Sequence, residues 1–127
     1  MIEWLEDEPR DLVLMPMCVR RGLDRAGRKV SLAAWQAMSM EARVQLAELG
    51  SAARVDVRAI ERAVPDAEPI EARPEPSEDT IPAAVARALP ELDAERWRSL
   101  GPIGRHAAEM YVRKDRVARA REIIGED

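Results

Sequence analysis

Cys18 and His106 are the side chains best suited to act as nucleophile or proton carrier in this 127-residue sequence, and each is the single residue of its type. A lone cysteine forms no internal disulfide and no cysteine-based zinc site, and a lone histidine leaves no second ligand for a histidine-pair metal site. Cys18 falls two residues inside an expected helix start, a place that lowers a thiol pKa. Free cysteine is also among the most buried residue types, and we read it as a small core side chain. No acid or nucleophile stands at a telling spacing from His106, which reads as a surface or internally satisfied histidine. The acids Asp66, Glu68, Glu71, Glu75, Glu78 and Asp79 lie among prolines, without the regular oxygen spacing or turn glycine of a calcium loop. They read as solvated. No catalytic residue, metal site or cofactor is expected, and the chain reads as a non-enzyme.

The chemistry left is that of charge. Arg20, Arg21, Arg25, Arg28 and Lys29 crowd one short segment against Asp24 alone. On a helix Arg20 and Asp24 pair at i,i+4, while Arg21, Arg25 and Arg28 form one stripe running toward Lys29. These six residues are the candidate partner-binding site: an exposed basic stripe disposed to meet an acidic protein surface or a cofactor phosphate. A helical nucleic-acid-binding regulator is the alternative, since short helix–turn–helix units with basic faces serve that end too. Against it stand a net charge of −4, acidic blocks beside each basic one, and no aromatic residues interleaved with the bases.

The elements that position this site are helical. Leu, Ile and Val supply 27 residues and Ala 21, Phe is absent and Tyr111 is the only tyrosine, a composition that favours helices packed through small side chains. Pro16 fits the first turn of a helix to Ala26, with Gly27 as its stop. Ser31 caps a short helix to Met38, with Val30 and Trp35 in the hydrophobic-staple positions. Ser39 caps a helix over 40–49 that Gly50 should end, and a further helix covers 56–64. Prolines 65, 69, 74 and 76 predict an extended, mobile acidic linker over 65–79. Beyond it Pro82 opens a helix closed by Pro90, Asp93 caps another with Leu92 and Trp97 as staple, and a basic helix begins at Pro102, which Val117, Ala120 and Ile124 either continue or follow as a final helix after Lys114-Asp115. Trp35, Met38, Arg43 and Leu49 repeat in spacing as Trp97, Leu100, Arg105 and Tyr111, so a stapled helical hairpin is used twice. The expected architecture is all-α: a single domain of about six short helices around two Trp-stapled hairpins. It comprises an acidic segment over 1–15, helices over 16–64, the linker, and helices over 80–127. No window is long and apolar enough to span a bilayer, and Met1–Glu8 is acidic where a secretory signal is basic and then apolar. A cytoplasmic location without membrane contact is expected.

Residues 14–38 resemble the signature of the conserved nitrate-reductase-associated proteins. The family's Pro-Met-x-Val-Arg, Leu-Asp-x-x-Gly and Lys-[Leu/Val]-x-Leu segments and its tryptophan helix are matched at the same spacing. The matching residues are Pro16, Met17, Val19, Arg20, Leu23, Asp24, Gly27, Lys29, Val30, Leu32 and Trp35. The following Glu-Arg helix looks like 41–49, and a later Trp-x-x-Leu looks like Trp97 to Leu100. Pro16, Met17, Gly27, Leu32, Trp35 and Trp97 read as structural members of this signature. The family pattern has a cysteine where this chain has Leu14 and another after the Glu-Arg helix, where this chain has none. Roles resting on those thiols are not carried over, and Cys18 stands at neither position. The resemblance implies an accessory protein of an assimilatory, molybdenum-dependent nitrate reductase. Its partner would be the reductase or its maturation machinery.

Overall fold

Ser31, Ser39, Asp56 and Asp93 each accept a hydrogen bond from the backbone N–H three residues on in the computed structural model, which describes residues 1–125. These side chains satisfy donors that a helix start leaves without a partner. The helices are α1 (Met17–Ala26), α2 (Leu32–Ala37), α3 (Met40–Ser51), α4 (Val57–Ala63), α5 (Ala83–Ala88), α6 (Ala94–Ser99), α7 (Gly101–Arg113) and α8 (Val117–Ile123). Among the described residues there are eight helices, against about six expected; the last is separate because the C-terminal basic stretch breaks at Asp115, held at φ 60°. The fold is all-α apart from one two-residue antiparallel ladder, β1 (Arg28–Lys29) with β2 (Glu68–Pro69). The chain divides into two compact units, Met1–Pro74 and Glu75–Asp127.

In the first unit α1 is the central helix, packed on α3 and α4. Pro16 has no side chain to cap it; the Glu8 carboxylate accepts from the Met17 N–H at 2.7 Å instead, adding a negative charge at the positive end of the helix. Gly27 closes α1 at φ 66°, as expected. Gly50 does not end its helix. A Cβ there would strike the Cys18 carbonyl, and one at Gly22 would come within 3.2 Å of the Gly50 Cα, so two glycines bring the α1 and α3 backbones into direct contact.

The expected linker is extended but tied down along its first half. Ile70 donates to the Gly27 carbonyl at 2.9 Å and Arg73 to the Asp24 carbonyl at 2.9 Å, while the Arg25 guanidinium returns a bond to the Arg73 carbonyl at 2.8 Å. Proline removes only its own N–H; the intervening residues keep theirs and dock the strand across the end of α1.

The second unit gathers Val85, Leu89, Leu92, Trp97, Ala108, Ala120 and Ile124 into one core, with α7 packed on α5, α6 and α8. Its tryptophan is used as in the first unit. Trp35 and Trp97 are both fully buried, and each indole N–H donates to a carbonyl some twenty residues upstream, Leu12 for Trp35 and Ser77 for Trp97. Eight residues after each tryptophan an arginine donates to the carbonyl of the residue following it: Arg43 to Gln36 and Arg105 to Arg98. The spacing repeat seen in the sequence is thus a repeat of hydrogen bonding as well.

Candidate functional site

The basic segment does not form the exposed stripe its spacing suggests. Arg21 is completely buried, and its guanidinium donates to the carbonyls of Gly50 at 2.9 Å, Ala52 at 2.6 Å and Ala53 at 3.0 Å. Those carbonyls end α3, where a helix leaves acceptors unsatisfied and its dipole favours a cation. Arg21 is a buried cap. Arg25 is half-buried on the Arg73 carbonyl, and Arg28 reaches Glu61 at 3.0 Å. Arg20 and Lys29 are exposed, Asp24 half-buried, and Lys29 faces Glu68 at 4.0 Å. A single basic face therefore reduces to Arg20 and Lys29. The nucleic-acid reading loses α1 as one of its basic faces.

Among the signature residues, Pro16, Met17, Gly27, Trp35 and Trp97 are buried and used in caps or core. Leu32 departs from the expected structural role: it is 50 % exposed. Cys18 is a core side chain, and burial holds its thiol pKa above the ordinary value, aided by the nearby Glu8 carboxylate and opposed by a hydrogen bond with Ser51. A thiol so held is a poor nucleophile. His106 is also buried, on α7. Among the described residues no cluster of His, Cys, Asp or Glu is arranged to hold a metal ion.

What the structure exposes instead is an uncharged surface on α2. Only Trp35 of this helix is buried. The run from Val30 to Met40 is the longest in the sequence without a charged residue, in a chain that is 35 % charged. It turns Leu32, Ala33, Ala37 and Met40 to solvent. The Gln36 side chain donates to the Val13 carbonyl at 3.1 Å, laying the half-exposed Val13 and Leu14 beside the helix. Leu32, one turn before Gln36, shares that face. The platform is tied down beneath. Leu12, at φ 62°, is buried, and its carbonyl accepts from both the Trp35 indole at 3.0 Å and the Arg43 guanidinium at 3.1 Å.

On another side of α2 lies an open cleft of about 490 Å³. Its apolar lining comes from Val30, Ala34, Met38, Val64 and Ala67. Its charged residues, Lys29, Asp66 and Glu68, are exposed. The length of the uncharged run was the signal for this surface; ranking segments by charged residues alone passes over it.

The model of the conserved nitrate reductase-associated proteins matches residues 2–115. The chain belongs to this family. Searches of curated proteins and of solved structures return no match. The family match takes in the α2 surface, the cleft and both tryptophan helices, and its description names an association with nitrate reductase. No helix among the described residues is long and apolar enough to cross a membrane.

Proposed function

We propose that the chain is a non-catalytic, cytoplasmic docking protein that supports the assembly, maturation or activity of a molybdenum-dependent assimilatory nitrate reductase. It engages the enzyme or its maturation machinery through the uncharged surface of α2. Family membership supplies the association. The observation that carries the docking mode is α2 itself, a helix that buries one residue and offers solvent an almost wholly apolar exterior. Contiguous apolar surface of this kind marks interaction sites, and helix faces with apolar anchors are a recurring recognition mode. Of the basic segment, Arg20 is exposed and open to an acidic group of the partner, while Lys29 is already opposed by Glu68.

The test is capture of nitrate reductase, followed by its activity, on tagged protein from cells grown on nitrate. Leu32→Glu/Met40→Glu should lose the reductase while keeping the helical circular dichroism and melting temperature of the parent, since both side chains are half-exposed. Reductase retained in full by that folded double variant would overturn the proposal.

A further inference from the structure

The cleft beside α2 is large enough for side chains of a bound segment, and its chemistry is selective. Within the usual volume of ligand sites, about 300–1,000 Å³, it pairs an apolar lining with charge confined to exposed positions. Lys29 and Glu68 are directly opposed in the β1–β2 register and sit 4.0 Å apart, so they largely offset one another. Asp66 enters no ion pair among the described residues and leaves the mouth with a net negative charge. An anion is the wrong occupant. Nitrate or a phosphate group would meet carboxylate repulsion and would gain few donors from an apolar lining. Complementary to the cleft is apolar bulk with a cation next to it. Ala34 and Met38 connect the cleft to the exposed surface of α2, so one partner element can cover both.

We infer that this cleft seats a short segment of the partner protein in which apolar side chains enter between α2 and the turn after α4 and an adjacent lysine or arginine meets Asp66. This deepens the docking reading and rests on it for the partner's identity. The recognition chemistry itself is testable without the reductase.

The probe is a short capped helical peptide with two leucines and a lysine on one face, titrated into the labelled full chain and followed by NMR. A matched peptide carries glutamate in place of lysine. Saturable shifts are expected at Val30, Ala34, Met38, Val64 and Ala67, with the lysine peptide binding about tenfold more tightly than its glutamate counterpart. Asp66→Lys should reverse that preference, and Ala34→Trp, at an exposed position, should fill the cleft and abolish binding of both peptides. Sodium nitrate should move none of these resonances. The inference falls if neither peptide shifts the cleft, if the preference ignores the charge at position 66, or if nitrate occupies the site. A failed peptide titration alongside loss of reductase capture by the α2 variant would overturn the cleft and leave the docking reading standing. Reductase retained by that variant, with peptides still bound, would do the reverse.

Discussion

Arg21 shows how one residue type carries two opposite meanings. By charge it belongs with Arg20 and Arg25; by structure it belongs with the core, because three carbonyls at the end of α3 replace its water. Replacing it with methionine should cost about 3 kcal/mol or more in a denaturant titration, since buried acceptors lose their donor together. Arg20→Met, at an exposed position, should stay within about 0.5 kcal/mol. Arg21 was not legible in the sequence: its partners lie 29, 31 and 32 residues away, and no local pattern announces a guanidinium that will find them. Trp35 was legible, because its place one turn into a helix capped by Ser31 is local. Trp35→Ala should lose about 3–5 kcal/mol, enough to unfold much of a domain of ordinary stability. Cys18 yields a pH prediction. Its folded thiol pKa lies above the unfolded one, so between the two values the unfolded chain has released a proton that the folded chain retains. Stability is therefore undiminished below the ordinary thiol pKa and declines as pH rises from there through the folded value. Cys18→Ala should flatten this decline in melting curves taken across the alkaline range, and the native thiol should react slowly with a disulfide reagent until the protein unfolds.

Helix boundaries were largely readable because capping is a contract between residues three apart. Ser31, Ser39, Asp56 and Asp93 keep it. The misread boundary is instructive. Gly50 resembles a helix stop by type, yet it lies inside α3 where the Cys18 backbone leaves no room for a Cβ. A glycine can be selected for a turn or for a close crossing, and only the partner helix distinguishes them. Gly50→Ala should therefore be more damaging than the usual overpacking cost of about 1–3 kcal/mol, because backbone rather than a side-chain tip must yield. Circular dichroism melting would show it, and an unchanged melting temperature would mean that α1 and α3 are not in contact. The linker was misjudged for a related reason. Its prolines correctly excluded helix, but Ile70 and Arg73 still had N–H groups to place on α1. The central position of α1 was equally hidden, since its arginines suggest a surface helix while its glycine and its small and apolar residues fit a crowded one.

At the scale of the whole molecule, charge and burial divide the labour in a way that composition obscures. A chain that is 35 % charged pairs many of its charges internally, as Arg28 with Glu61 and Arg121 with Glu91, and leaves its one long uncharged run exposed on α2. The all-α class and the repeated tryptophan–arginine spacing were legible because they follow from alanine content, caps and spacing. The proposed docking surface was legible only as an uncharged run, because its exposure depends on what fails to cover α2, which is a property of the tertiary structure. This division makes opposite demands on how the reductase should be bound. Docking through an arginine stripe would weaken steeply as salt screens the encounter. Docking through Leu32, Met40, Val13 and Leu14 should change little between low and physiological ionic strength and should strengthen in sulfate, which is excluded from apolar surface. Capture of nitrate reductase measured across sodium chloride and sodium sulfate series separates the two. A steep loss in both salts, unaffected by Leu32→Glu/Met40→Glu but abolished by Arg20→Glu/Lys29→Glu, would return the site to the basic segment. Retention in chloride with a gain in sulfate, lost only when the α2 surface is made acidic, is the outcome the exposed helix requires.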